Sequence, residues 1–262
     1  MSVTRIPICF DVLGTCFSFE AATKALLNVF PKLEGNRADS IIQDWFHSAQ
    51  RDFTYLSMND CYKPIAQVLK STLPRIYLMN SLVPSSPASN GSSSIDSNLL
   101  DPIMAAIPKM GPRPGLQSCT RLLHDSSIDF NLLAVTNGGL ETTKGYFYNA
   151  FSEEGGKEMV EKEFGWSFLS CDEIQCAKPD QKVYENVWKR LKSDHGIEKR
   201  QGWFVASHTW DLHAAKRAGF KTAFVTYEEH LVLPELFGRP DIVAKDLEDC
   251  AKQIIAYEEG KK

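Results

Sequence analysis

Neither sign of charge dominates this chain. Its 262 residues carry 29 Lys and Arg against 33 Asp and Glu, a formal net charge of −4 at pH 7. No basic field is expected, so nothing points to nucleic acid or an anionic membrane as partner. Long apolar runs are missing as well; no stretch approaches the roughly 20 residues that span a bilayer. The opening segment, MSVTRIPICFDV, has no basic region followed by a long apolar core, which predicts no signal peptide. Cysteine pairs are also lacking. The seven cysteines are scattered without a C-x-x-C, and their spacing to histidine is too loose for zinc. We read them as reduced thiols, mostly buried, in a cytoplasmic protein.

What is there is a regular alternation. Residues 5–11 read as a strand, and Phe19 to Phe30 carries Ala22, Ala25, Leu26, Val29 and Phe30 at helical spacing. Residues 39–56 and 59–73 read as two more helices, the second with Pro64 early in it. Residues 84–97 are half serine, which predicts a flexible surface loop. A short helix is expected at 100–110. From residue 115 onward strands and helices alternate. Helices are expected at 116–124, 180–191, 212–218 and 247–257. Strands are expected at 130–135, 166–170, 203–206, 222–225 and 241–243. Such alternation predicts an α/β fold with a parallel sheet and right-handed crossovers. Chemistry in such sheets gathers at the carboxyl ends of the strands.

The residues expected there form a set. Asp11 follows the first strand, in ICFDVLGTCF. Thr136, Asn137, Gly138 and Gly139 follow the second, Lys178 precedes Pro179, and Ser207 to Asp211 follow the 203–206 strand. Lys178 can neutralise Asp11, and Asp211 can orient Lys178. Thr15, Thr136 and Asn137 offer donors, and the glycines let backbone N–H groups approach an anion. An ionised carboxylate held by a lysine among donors suits covalent catalysis by a carboxylate nucleophile.

In order, Asp11-x-x-Gly14-Thr15, Thr136-Asn137-Gly138, Lys178-Pro179 and Asp211 resemble the haloacid dehalogenase (HAD) superfamily. Ala177-Lys178-Pro179-Asp180 with Tyr184, and Ser207-His208-Thr209-Trp210-Asp211, are similar to its type II (S)-2-haloacid dehalogenase branch. The resemblance implies a Rossmann-like, doubly wound parallel sheet (residues 1–16 and 109–262) with an inserted helical cap (17–108). It implies Asp11 as nucleophile, Thr15 fixing the loop, and Thr136 and Asn137 binding the anionic group of a small-molecule substrate. Lys178 would steady Asp11 and the covalent intermediate. Asp211 would hold Lys178 and support the hydrolytic water. No cofactor is implied on this reading, and a homodimer is the implied assembly.

The chain also departs from the superfamily's patterns. HAD phosphatases carry a general-acid Asp two residues after the nucleophile, where this chain has Leu13, which transfers no proton. They place a metal-binding Asp where this chain has Ser207, a poorer Mg²⁺ ligand. The dehalogenase branch uses a cap arginine for the halide; the matching position here is His47, with Arg51 one turn further on. Its Ser-x-Asn before the last Asp is replaced by Ala206 and His208. His208 is therefore a substrate-side residue or a strand-end cap. A phosphatase acting on a small organic phosphate or a hydrophobic diphosphate, with Mg²⁺ on Asp11 and Asp211, is the alternative reading.

Overall fold

The computed structural model describes residues 5–84, 95–197 and 202–260. The chain divides into two compact units, Met1–Ser18 with Pro112–Lys262, and Phe19–Gly111. Most of the serine-rich loop expected at 84–97 lies outside the described residues.

The first unit is built on a six-stranded sheet. Its strands are β1 (Ile6–Phe10), β2 (Phe130–Thr136), β3 (Ser167–Ser170), β4 (Trp203–Ala206), β5 (Lys221–Val225) and β6 (Ile242–Ala244). All pairs are parallel, in the order β3-β2-β1-β4-β5-β6. The order reverses beside β1, which makes β1 and β4 the switch point of a doubly wound sheet. Successive side chains point to opposite faces of a strand, so apolar runs such as Ile8-Cys9-Phe10 mark strands covered on both sides. Cys9, Leu133, Val135, Phe204, Ala206 and Phe224 share one core with Val183, Tyr184, Val187 and Trp188. Those last four lie on a helix at Gln181–His195 (α8 in the chain's count). Trp188 stacks on Phe220 with ring centroids 4.0 Å apart. Helices at Leu116–His124 and Leu247–Glu259 pack against each other.

The remaining helices fill out that count. They are α1 (Glu20–Val29), α2 (Gly35–Met58), α3 (Ile65–Met79), α4 (Ser97–Ala106), α5 (Leu116–His124), α6 (Leu140–Ala150), α7 (Cys171–Ile174), α9 (Thr209–Arg217), α10 (Pro234–Phe237) and α11 (Leu247–Glu259). Three expectations need correction. The helix expected at 59–73 begins only at Ile65, because Pro64 disfavours helical backbone in the residue before it and Asp60 turns left-handed. The helix expected at 212–218 begins at Thr209, immediately after His208. Helix α6 was not foreseen: LETTKGYFYNA carries a glycine and two threonines, and its apolar positions make no clear stripe.

Among the described residues the second unit carries the helices α1 to α4 and a 3₁₀ turn at Ile107–Lys109. Along α2 the buried residues are Ala38, Ile41, Ile42, Trp45, Phe46, Ala49 and Phe53, one helical stripe. Trp45 donates its indole N–H to Leu69 O (3.0 Å) and Thr72 Oγ1 (3.1 Å) on α3. Tyr77 on α3 donates to Leu99 O on α4 at 2.8 Å.

Where the chain re-enters the first unit, Arg113 Nε donates to Gly14 O at 3.2 Å and pairs with Glu228. The guanidinium also lies over the Tyr227 ring, 5.2 Å from its centroid. The re-entry segment thereby braces the turn that follows Asp11.

Candidate active site

Asp11 stands at the carboxyl end of β1, where its backbone N–H extends the ladder to Val205 O at 2.9 Å. The chain then turns sharply. Gly14 N donates to Phe17 O, and both Cys16 N and Phe17 N donate to Val12 O. Gly14 has φ +87°, and a Cβ there would lie 2.9 Å from His208 Cε1, so only glycine fits. This turn aims the Asp11 carboxylate along the strand ends and brings Thr15 back to it.

Every oxygen of Asp11 is engaged. Oδ1 accepts from Lys178 Nζ at 2.6 Å and Oδ2 from Thr15 Oγ1 at 2.6 Å. Thr15 Oγ1 in turn accepts from Ser207 N at 2.9 Å, which ties the β1 turn to the end of β4. Lys178, fully buried, uses its other two protons on Asp211 Oδ2 (2.7 Å) and Val135 O (3.2 Å). Asp211 Oδ1 accepts from the Tyr184 hydroxyl. The result is a buried chain of Thr15, Asp11, Lys178, Asp211 and Tyr184.

The charges follow from this geometry. Burial by itself raises the Asp11 carboxyl, but the Lys178 ammonium, with His208, overrides it and holds Asp11 well below the usual carboxylate range. Burial lowers Lys178, yet its two carboxylate neighbours outweigh that and leave it raised, a fixed cation. Asp211 is raised by burial, with Lys178 opposing. The cluster presents an ionised Asp11 with no competing proton. The thiols nearby are inert by the same physics: burial pushes Cys16 well above its ordinary value and Cys171 up to about 12.

Thr136 and Asn137 lie buried beside this chain. Thr136 Oγ1 accepts from Gly138 N at 2.8 Å, which leaves its proton free to donate. Asn137 Oδ1 accepts from Lys178 N at 3.0 Å, which fixes which end of the amide carries the outward N–H groups. Leu13, 8% exposed, adds an apolar wall near Gly138. His208 Nδ1 stands 3.4 Å from Asp11 Oδ2. The structure thus brings together Asp11, Thr15, Thr136, Asn137, Lys178, His208 and Asp211. His47 and Arg51 belong to α2 in the other unit, both on its exposed side. Arg51 spends Nε (3.1 Å) and Nη2 (3.0 Å) on Asp52, which also binds Arg75.

Sequence reasoning undervalued Tyr184. The sequence places it only within the motif that carries the resemblance, with no role, yet its hydroxyl holds Asp211. The available signal was its spacing, six residues beyond Lys178 on the first turn of α8.

No protein-family profile matches the chain. A curated (S)-2-haloacid dehalogenase of Pseudomonas putida is 22% identical over 256 residues, covering 95% of this chain and 96% of its own. The solved structure of L-2-haloacid dehalogenase from Xanthobacter autotrophicus superposes with a TM-score of 0.70 at 20% identity, over 96% of this chain and 98% of that one. The same enzyme with chloropropionic acid covalently bound matches equally, at a TM-score of 0.70 and 19% identity, over 96% and 98%. The fold is that of the haloacid dehalogenase-like hydrolases.

Within that fold the Mg²⁺ of the phosphatase alternative can be tested on the donor set. Mg²⁺ demands six oxygens in near-octahedral array. Here both carboxylates offered for it are already bound to Lys178, and Asp211 also to Tyr184. Ser207 supplies a hydroxyl where a third carboxylate would sit, and the described residues include no group of three or more metal-ligating side chains. The residues present do not fit the ion. Among the described residues no helix is long and apolar enough to cross a membrane.

Proposed function

We propose that the protein is a hydrolase acting through Asp11 as a covalent nucleophile, on a small acid that carries a leaving group beside its carboxylate. The observation that carries this reading is the Lys178 ammonium, 2.6 Å from Asp11 and 2.7 Å from Asp211. It keeps Asp11 ionised and aimed, without the acid or the metal that phosphoryl transfer to an ordinary ester requires. One Asp11 oxygen attacks the carbon bearing the halogen from the side opposite the leaving group. The C–X bond breaks, halide departs with its electron pair, and an aspartyl ester forms with inversion at carbon. Water then attacks Cγ of Asp11, the alcohol leaves, and a 2-hydroxy acid is released with Asp11 restored. The Thr136 hydroxyl and the Asn137 amide hold the substrate carboxylate, and Lys178 balances the charge on Asp11 and on the ester's carbonyl oxygen. The cytoplasm, read from the scattered cysteines, is the proposed setting, and a homodimer, implied by the resemblance, is the proposed assembly.

The test uses L-2-chloropropionate in ¹⁸O-water with excess chelator. Chloride release is expected to be unaffected by chelator. Solvent oxygen is expected to enter the Asp11 side chain before it enters product. Product labelled in the first turnover, with none in Asp11, would sink the covalent route.

A further inference from the structure

Breaking the aspartyl ester requires a group that takes a proton from the attacking water. The acidic candidates are spent. Asp211 is fully buried, and each of its oxygens already accepts a charged or phenolic donor, Lys178 on Oδ2 and Tyr184 on Oδ1. Lys178 is a cation with three acceptors and no lone pair to offer. The Thr15 hydroxyl donates to Asp11 and accepts from Ser207 N.

His208 is not spent. It is 2% exposed; Nδ1 faces Asp11 Oδ2 at 3.4 Å, and Nε2 has no hydrogen-bond partner among the described residues. A buried polar atom left unpaired is costly, so the open Nε2 marks a place that water or substrate fills. The ring is held for that purpose. His208 is the N-cap residue of α9 but does not cap it. Glu229 does so instead, accepting from Thr209 N at 2.8 Å and from Thr209 Oγ1 at 2.6 Å. Trp210 stacks against the imidazole at 5.5 Å, and the glycine at position 14 leaves room for its other edge. The neighbouring Ser207 hydroxyl is likewise buried and unpartnered.

We infer that His208 is the general base for hydrolysis of the aspartyl ester, an inference that rests on the function proposed above. In the free enzyme the negative Asp11 faces Nδ1 at 3.4 Å. Ester formation removes that charge, and the ring's lone pair then accepts a proton from water as its oxygen bonds to Cγ. The tetrahedral intermediate collapses, the C–O bond to the substrate carbon's oxygen breaks, and the imidazolium returns its proton to the leaving alkoxide. One water is consumed; Asp11 keeps its oxygen, and the water's second proton leaves the new carboxyl for solvent as Asp11 returns to the carboxylate.

His208→Gln and His208→Asn, both checked for a native melting temperature, are mixed with L-2-bromopropionate and quenched on the millisecond scale. Bromide, and the mass of the peptide containing Asp11, are followed together. The expected result is a bromide burst stoichiometric with enzyme, a persistent ester on Asp11, and turnover slowed about 100-fold or more. Free imidazole added to His208→Ala is expected to release the ester. Turnover within threefold of wild type in both variants overturns the inference. So does a raised KM with slow bromide release and no ester, which would make His208 a binder of the substrate carboxylate. A wild-type protein that releases no bromide sinks the proposed function itself, and the inference falls with it.

Discussion

Asp11 has two unlike sides. Toward Lys178, every polar atom of the cluster is partnered: Asp11 Oδ1, the three ammonium protons, both oxygens of Asp211 and the Tyr184 hydroxyl. Toward the end of β4, the Ser207 hydroxyl and His208 Nε2 are buried and unpartnered among the described residues. A saturated network in low dielectric is rigid and stays in one arrangement. An unsaturated one waits for groups that arrive with substrate and water. The holding and the reacting parts of the site are thus separated by one carboxylate. The largest expected effects come from breaking the saturated side, because its groups have no alternative partners.

Asp11→Asn removes the nucleophile and should lower halide release by about 10⁴-fold or more while the fold survives, as circular dichroism would verify. Lys178→Met should be worse for the fold than for any single contact. It leaves Asp11 and Asp211 buried without their cation, and removal of one partner from a buried ion pair costs about 3–5 kcal/mol. Urea denaturation of wild type and variant measures this; a loss under 1 kcal/mol would mean the lysine is not the cluster's counter-ion.

The same side predicts a pH response. Asp11 lies below its ordinary 3.8 in the fold, so its stabilisation is complete above that value and is lost as pH falls through the native one. Lys178 lies above its ordinary 10.5, so its contribution is complete below that value and is lost as pH rises through the native one. Asp211, raised, acts against both carboxylate and fold by making its own ionisation costly, which offsets part of the acid-side gain. As far as Asp11 and Lys178 govern it, melting temperature should therefore fall as pH drops below the ordinary carboxyl value of 3.8 and as it rises above 10.5. Lys178→Met should lose the alkaline limb.

Tyr184→Phe sharpens the contrast at smaller scale. It leaves one Asp211 oxygen buried and unpaired, at about 1–3 kcal/mol. If Asp211 acts only through Lys178, kcat should fall by about 10-fold with KM unchanged. A change in KM alone would instead put Tyr184 against the substrate.

The saturated side was largely legible in the sequence. Asp11, Thr136 and the residues after Ala206 each end an apolar run, and a buried strand that stops at a polar residue is a readable signal. The switch point of the sheet then brings those ends together without further information. Lys178 could be placed by the resemblance, but its three bonds could not, since Val135 O enters only through the packing of the loop beneath β2. The role of the Tyr184 hydroxyl depends on how α8 lies against the sheet, which local periodicity does not encode. The unsaturated side was less legible still. His208 is visible as a departure, while its release from capping α9 depends on Glu229, twenty residues beyond Thr209. Helix α6 was hidden because its buried face includes Thr143 and Tyr146 beside Phe147, too mixed to show a stripe.

The smallest expected effect lies in the helical unit and concerns Arg51. Arg51 is half exposed, and its guanidinium is anchored on Asp52, itself shared with Arg75. Exposed pairs of this kind contribute roughly 0–1 kcal/mol, so Arg51→Ala should shift stability by less than that and leave Arg75 to neutralise Asp52. A guanidinium so committed is a poor cradle for a departing halide, because moving it would release Asp52 from one of its two cations. We therefore expect Arg51→Ala to leave bromide release in the first turnover within about twofold of wild type. A clear slowing in a single-turnover measurement would show that Arg51 leaves Asp52 when substrate binds.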